Sequence, residues 1–170
     1  MRSETTRTWV RRCLDERAAK DAESGEDGSV GELELAPFQQ RAARRGVEIA
    51  RRYGGVVIAD AVGLGKTRVT LAVAEALMRD ERMRRSEPGP LMVCVPARLR
   101  EQWRRKLHRA GLGRARLVSH TEMSRDDVDG RVDPSVVIVD EAHRFRNPKA
   151  KRSRKLADIK TPIKVAVMGC

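Results

Sequence analysis

The sequence predicts an α/β fold in which helices cover both faces of a doubly wound parallel sheet. Short runs of Val, Leu, Ile and Ala alternate along the chain with longer segments of helical spacing, including a predicted helix over residues 38–52. Strands buried on both faces have this apolar character, and their alternation with helices is typical of doubly wound folds. Only 3% of the residues are aromatic, which is unlike a base-stacking RNA module. Predicted strands cover residues 56–59, 91–96, 116–119, 135–140 and 163–168.

The first predicted strand runs into a segment that has the features of a phosphate-binding loop. Glycines at 63 and 65 are followed by Lys66 and Thr67, and Val69 and Val73 then recur at helical spacing. Glycines allow backbone N–H groups to approach a triphosphate, while the lysine supplies positive charge and the hydroxyl a Mg²⁺ ligand. The predicted nucleotide-binding residues of this segment are Gly63, Leu64, Gly65, Lys66 and Thr67.

A second segment, residues 137–143, ends an apolar strand with two adjacent carboxylates. Asp140 is suited to hold Mg²⁺, which prefers oxygen ligands, and Glu141 to orient or deprotonate the attacking water. The two segments in this order are more specific than either alone, and they predict ATP and Mg²⁺ as ligands. The predicted catalytic residues are Lys66, Asp140 and Glu141, and the predicted magnesium ligands are Thr67 and Asp140.

One position departs from the general phosphate-loop pattern, because Asp60 stands where the first glycine is usual. An aspartate at that position is characteristic of the Swi/Snf-type branch of superfamily-two helicase-like ATPases, and the chain resembles this family over about residues 35–148. Ala61 differs from the acidic residue that is frequent there. The resemblance implies a P-loop NTPase lobe of the RecA-like kind, and ATP hydrolysis coupled to movement along double-stranded DNA in the full-length parent.

Three further segments match the same family in order. Residues 35–39 resemble the upstream glutamine motif, which implies that Gln39 recognises the adenine edge through its amide. Residues 91–103 resemble the motif that lies near the nucleic-acid backbone. The Asp-Glu-Ala-His of residues 140–143, followed by Arg-Phe-Arg-Asn-Pro, resembles bacterial Swi/Snf-type proteins and implies a coupling role for His143. The remaining candidates for nucleic-acid contact are Arg98, Ser119 and Thr121.

Leu99, Trp103 and Leu107 recur every four residues and predict one buried face of a helix. Trp103 is therefore predicted to be a core residue in preference to a base-stacking platform. The arginines off that face either contact phosphates or form a solvated surface. Two charged segments, residues 79–90 and 149–155, are predicted to be a surface connection and a basic loop or solvated stretch.

The formal net charge is +12, from 36 basic and 24 acidic side chains. This favours a polyanionic partner, for which we expect nucleic acid and more specifically double-stranded DNA, although a coding bias toward arginine would give the same composition. Cys13, Cys94 and Cys170 show neither disulfide nor zinc spacing. This cysteine pattern predicts a reducing, cytoplasmic environment. No stretch approaches the ~18 apolar residues of a membrane-spanning helix, so we expect no membrane partner.

We divide the chain into a basic amino-terminal segment with an acidic, Gly/Ser-containing linker, residues 1–33, and an ATP-binding lobe, residues 34–170. The family has two RecA-like lobes, and its arginine finger comes from the second. The resemblance therefore implies a lobe truncated at its carboxyl end that binds ATP but hydrolyses it poorly, with a second polypeptide as a candidate source of the missing lobe. Two alternatives are a non-catalytic nucleic-acid-binding or regulatory module and a small oligomeric P-loop ATPase.

Overall fold

A computed structural model describes residues 35–60, 65–84, 86–125 and 133–169. These residues form a five-stranded sheet in the order β1-β5-β4-β2-β3, and every neighbouring pair of strands is parallel. The predicted α/β parallel-sheet fold and its five strands are confirmed. The predicted segment 1–33 lies outside the described residues. The strands are β1 Gly55–Asp60, β2 Leu91–Val95, β3 Arg116–Ser119, β4 Val136–Val139 and β5 Ile163–Gly169.

The described residues also form four α-helices, of which the first precedes β1, and three short 3-10 turns. Helix α1 begins with Pro37, whose fixed φ suits the first helical position, and it ends at Gly54, which has a left-handed φ of 71° and donates its N–H to Ala50. The predicted helix over residues 38–52 is thereby confirmed. The helices are α1 Pro37–Tyr53, α2 Lys66–Arg84, α3 Arg100–Arg109 and α4 Lys151–Asp158, and the 3-10 turns are Ala97–Leu99, Glu122–Ser124 and Ala142–Phe145.

Apolar side chains on the two faces of the sheet form two separate clusters. Alternate strand residues such as Val93 and Ile138 point into the larger cluster, where they pack against α1, α2 and α3. Their neighbours Met92 and Val137 point into a smaller cluster, where they meet Met123 and the side chains around α4. The central strands β2 and β4 are therefore buried along their whole length because both of their faces are covered, as the sequence predicted.

Two sequence predictions about connections are wrong in part. The surface connection predicted over residues 79–90 begins too early, because α2 continues to Arg84 and buries Met78 and Glu81. No proline or glycine interrupts the helix before Pro88, and the residues between are good helix formers. The basic stretch 149–155 is partly helical, because α4 begins at Lys151 and places Leu156 against the smaller cluster.

Candidate nucleotide site

The two predicted nucleotide-binding segments follow the carboxyl ends of β1 and β4, which lie on either side of β5. Ligands of open parallel sheets bind outside the carboxyl ends of the strands. The Glu141 carboxylate reaches over the end of β5, because a Cβ placed on Gly169 would lie 3.9 Å from its Oε2 atom. Gly169 in turn pairs with Asp60 at the end of β1. The fold therefore brings both segments to one edge of the sheet.

The described part of the phosphate segment starts at Gly65 and opens helix α2; Gly63 and Leu64 lie outside the described residues. Gly65 has a left-handed φ of 79°, and a Cβ there would collide with the amide of Gln39. The backbone conformation favours glycine at this position, and any larger residue would also displace the Gln39 amide. Lys66 and Thr67 form the first turn of α2, and the start of a helix favours an anion through its backbone N–H groups and the helix dipole. This arrangement suits a phosphate group.

The predicted adenine-binding residue Gln39 lies beside this segment. Its side chain is buried near the start of α1, where Oε1 accepts the N–H of Ala36 at 3.1 Å and the amide nitrogen packs against Gly65. Part of the amide's hydrogen-bonding capacity is thus used to begin the helix, although a carbonyl oxygen retains a second lone pair. The adenine-binding role of Gln39 stays a prediction.

Asp140 is held by hydrogen bonds from three directions. Its backbone N–H donates to the Cys94 carbonyl at 2.9 Å, which continues the pairing of β4 with β2. Its Oδ1 atom accepts the Glu141 N–H at 2.9 Å, and Oδ2 accepts the indole N–H of Trp103 at 2.8 Å. Because both carboxylate oxygens have protein donors, the plane of the carboxylate is fixed.

Glu141 has an unusual backbone conformation for a side chain other than glycine. Its φ of 51° and ψ of 45° lie in the left-handed region, which costs about 1–2 kcal/mol. Its Oε2 atom lies 3.2 Å from Nδ1 of His143. Strain of this kind is concentrated at functional sites, so the conformation supports a functional role for this turn.

His120 also supports Asp140, although no sequence pattern distinguishes it from its neighbours. Its Nε2 lies 3.0 Å from the Asp140 carbonyl oxygen, which can only accept, so Nε2 carries the proton. Burial lowers the pKa of His120, and the ring is therefore neutral at pH 7. The ring edge packs on Phe145 with centroids 4.9 Å apart. This histidine is a structural support on the β4 side.

Helix α3 contacts both predicted magnesium ligands. Trp103 donates to Asp140, and Lys106, one helical turn further, places Nζ 3.4 Å from Oγ1 of Thr67. Trp103 is buried, with 3% of its surface exposed, as its spacing predicted, but neither contact was predicted from the sequence. The spacing of 103 and 106 indicates a common helix face, yet nothing in the sequence shows which strand ends that face meets.

The predicted magnesium ligands fit the ion that accompanies ATP. Mg²⁺ usually retains several waters and is held by one or two carboxylates together with phosphate oxygens, so a hydroxyl and one carboxylate suffice. Each Asp140 oxygen accepts one protein hydrogen bond and keeps a second lone pair for a metal or its water. Thr67 and Asp140 are therefore chemically suited to this role, which stays a prediction.

The candidate nucleic-acid residues differ in accessibility. Arg98, Thr121 and His143 are exposed, on three separate connections at the carboxyl side of the sheet. Ser119 is buried, and its hydroxyl accepts the N–H of Glu122 at 3.1 Å. Ser119 therefore has a role within the fold, and its predicted contact with nucleic acid stays a prediction. None of the helices in the described part of the chain has the length and apolar character needed to cross a membrane.

Two solved structures that share this fold are from Sulfolobus solfataricus. The SWI2/SNF2 ATPase core in complex with dsDNA matches with a TM-score of 0.70 and 20% identity, covering 87% of this chain and 34% of that one. The SWI2/SNF2 ATPase core domain matches with a TM-score of 0.66 and 21% identity, covering 84% of this chain and 32% of that one. At this level of identity the likeness establishes the fold.

One curated protein, from two organisms, is similar to this chain in sequence. The DNA excision repair protein ERCC-6 of Mus musculus and of Homo sapiens is 26% identical over 193 residues. The alignment covers 91% of this chain, which spans 13% of the length of those relatives. No family model matches the chain. These comparisons confirm the predicted resemblance, and the chain has the fold of a RecA-like lobe of a SWI2/SNF2-type ATPase core.

Proposed function

We propose that this chain is the ATP-binding lobe of a helicase-like, DNA-dependent ATPase of the Swi/Snf type. The observation that carries the proposal is the meeting of two segments at one edge of the sheet. Lys66 and Thr67 open α2 on one side of β5, and Asp140 and Glu141 follow β4 on the other. Phosphate-binding and metal-binding chemistry are thereby combined at the place where this kind of sheet binds ligands.

Each residue has a distinct role in the proposed site. Lys66 and the backbone N–H groups at the start of α2 bind the phosphates, while Thr67 and Asp140 hold Mg²⁺. The ion, when bound, neutralises charge on the β- and γ-phosphate oxygens. Glu141 orients the attacking water and accepts its proton, and the His143 ring lies 3.2 Å from the Glu141 carboxylate, where it restricts that side chain.

We expect a polypeptide of these 170 residues to bind ATP and to hydrolyse it slowly. The chain matches 34% of the length of a solved SWI2/SNF2 core. The family resemblance places the arginine finger in a second lobe, and such a finger contributes about 10³- to 10⁵-fold to the rate. A second polypeptide carrying that lobe would raise the rate by a comparable factor.

Double-stranded DNA is the partner that we propose for the complete enzyme. The net charge of +12 favours a polyanionic binding partner, and one of the solved cores with this fold is in complex with dsDNA. Phosphate contacts of this kind weaken steeply as salt concentration rises. Binding to a labelled duplex should therefore fall between 50 and 200 mM salt, and salt-independent binding would contradict a phosphate-contacting surface.

The proposed nucleotide site is tested by binding of a fluorescent ATP analogue in the presence of Mg²⁺. Lys66→Ala should weaken binding by about 10- to 100-fold, because a hydrogen bond to a charged phosphate is worth about 1.5–3 kcal/mol. Lys149→Ala removes the same charge from an exposed residue away from α2 and should leave the affinity unchanged. Circular dichroism checks that all three proteins are folded.

Two outcomes would contradict the proposal. One is native protein that does not bind the analogue, and the other is equal weakening by the two lysine substitutions. If either outcome were found and duplex DNA still bound, the proposed ATP-binding lobe would be replaced by the alternative of a non-catalytic nucleic-acid-binding module. The net charge of +12 is the observation that favours this alternative.

A further inference from the structure

We propose that Trp103 is a positioning residue for Asp140 and thereby sets the affinity of the nucleotide site for Mg²⁺. The inference rests on the proposed function, because it assumes that Asp140 is a metal ligand. It assigns a specific task to a buried tryptophan whose position along α3 gives no hint of one. The structural observation is the hydrogen bond of 2.8 Å from the indole nitrogen to Oδ2 of Asp140.

This hydrogen bond completes the orientation of the carboxylate. The Glu141 N–H holds Oδ1 at 2.9 Å and the indole holds Oδ2, so rotation of the carboxylate would break at least one of the two bonds. Each oxygen still has one lone pair for the metal or a metal-bound water. The site thus presents a fixed acceptor geometry to an ion that demands near-ideal octahedral coordination.

The chemical nature of the donor matters as much as its position. An indole N–H is a donor only and carries no charge. It can therefore hold the carboxylate without adding a positive charge that would repel the metal. A lysine or arginine at this position would also orient Asp140, but it would compete electrostatically with Mg²⁺. Tryptophan is suited to positioning a metal ligand whose negative charge must be kept.

Trp103 is itself held firmly. Only 3% of its surface is exposed, and it belongs to the larger apolar cluster. The start of α3 is tied to the sheet by Arg100, whose guanidinium bonds both carboxylate oxygens of Glu122, at 3.0 and 3.1 Å, and the Leu117 carbonyl at 3.2 Å. The indole is therefore attached to a rigid helix, and it transmits that rigidity to Asp140 across 37 residues of sequence.

Trp103→Phe is the variant that separates hydrogen bonding from packing. Phenylalanine keeps an aromatic ring in the cluster but lacks the N–H group. Partners that orient metal ligands typically contribute 10- to 100-fold to metal affinity, so we expect the variant to need about tenfold more Mg²⁺ for half-maximal binding of a fluorescent ATP analogue. The analogue is excited directly, so that its signal does not depend on tryptophan. Binding measured in EDTA should equal that of the native protein.

Leu107→Val is the matched control. Leu107 is also buried on α3, with 1% of its surface exposed, and its side chain has no hydrogen-bonding group. This change disturbs packing in the same helix, and the Mg²⁺ requirement should remain that of the native protein. Equal shifts in Trp103→Phe and Leu107→Val would overturn the inference, because packing alone would then explain both.

A spectroscopic signature tests the same contact without altering it. The chain has two tryptophans, so Trp9→Phe leaves Trp103 as the only indole. Its emission should change when Mg²⁺ is added to the nucleotide complex, because the partner carboxylate then becomes a metal ligand. Asp140→Asn should abolish this change. This measurement also decides the question if Trp103→Phe does not fold.

The outcomes separate this inference from the proposed function. Native protein that binds the analogue with Mg²⁺, together with a Trp103→Phe variant of unchanged Mg²⁺ requirement, would overturn only the role of Trp103. The role of Trp103 would also be overturned if its fluorescence emission did not change when Mg²⁺ is added to the nucleotide complex. Native protein whose nucleotide binding does not depend on Mg²⁺ would overturn both.

Discussion

The end of β4 and the start of α2 face the same site, but the protein holds them in different ways. Asp140 takes part in hydrogen bonds with Cys94, Trp103, His120 and the following residue, at 2.8–3.0 Å. The Thr67 hydroxyl has a contact of 3.4 Å with Lys106, which is long for a hydrogen bond. Among the described residues, the carboxylate side therefore has more hydrogen-bonding support than the hydroxyl side.

A physical reason for this difference lies in what each side must present. The start of α2 offers backbone N–H groups to phosphates, and their directions follow from the helix itself. A carboxylate at the end of a strand rotates freely unless neighbouring donors hold it. Trp103 and the Glu141 N–H supply that restraint, and His120 holds the backbone carbonyl of the same residue. The metal-binding side therefore needs tertiary support, while the phosphate-binding side is largely built by local structure.

The largest expected effect on stability comes from removing the Asp140 charge. Asp140→Asn replaces one acceptor oxygen by a donor NH2 group, so the side chain can no longer accept both the indole N–H and the Glu141 N–H. Hydrogen bonds to charged groups contribute about 1.5–3 kcal/mol, so the free energy of unfolding in urea should fall by about 1–3 kcal/mol. Thr67→Val should change it by less than about 0.5 kcal/mol.

Asp158→Asn, which removes the same charge at an exposed position of α4, is the control for net charge. Its free energy of unfolding should remain within about 0.5 kcal/mol of the native value. If Thr67→Val destabilised the protein as much as Asp140→Asn, the two sides would be held equally and the comparison would be wrong.

A smaller effect is expected at Glu122, which anchors the start of α3. The backbone N–H of Ser119, at 2.6 Å, is the largest cause that holds the pKa of Glu122 below its ordinary value, and Arg100 adds to it. The Glu122 carboxylate therefore binds a proton more readily in the unfolded chain than in the folded chain. The resulting stability is present above the ordinary pKa of about 4.5 and is lost as pH falls through the lower folded value.

Glu122→Gln should reduce the free energy of unfolding by about 1 kcal/mol at pH 7, since the carboxylate is partly exposed and screened. The difference from the native protein should shrink as urea unfolding is repeated from pH 6 down to pH 3. Glu101→Gln is the matched control, because Glu101 is 63% exposed and pairs with Arg104 on the helix surface. A difference that stayed constant with pH would show that ionisation of Glu122 is not its cause.

The smallest expected effect concerns Lys106 and the Thr67 hydroxyl. An ammonium group 3.4 Å from a predicted magnesium ligand repels the ion. Unit charges about 4 Å apart in water interact by about 1 kcal/mol, so Lys106→Gln should lower the Mg²⁺ concentration for half-maximal nucleotide binding by about 2- to 5-fold. Arg105→Gln, which removes a charge from an exposed residue of the same helix, should have no such effect. A higher Mg²⁺ requirement in Lys106→Gln would instead show that Lys106 assists ligand binding.

Much of the fold was predictable because it depends on local patterns. Apolar runs identified all five strands, and the glycine and acidic motifs identified the segments at the ends of β1 and β4. Four-residue spacing also identified Trp103 as a buried residue. These features follow from burial of one face or both faces of a single element, which the sequence of that element specifies.

The partners of those residues were decided by the tertiary structure. Asp140 meets Trp103 and Thr67 meets Lys106 only because the strands pair in the order β1-β5-β4-β2-β3. These contacts join residues 37 and 39 positions apart, a distance over which periodicity carries no information. The sequence by itself thus determined the elements and the chemical groups at their ends. The strand order determined which of those groups hold one another, because hydrogen bonds require atoms to meet in space.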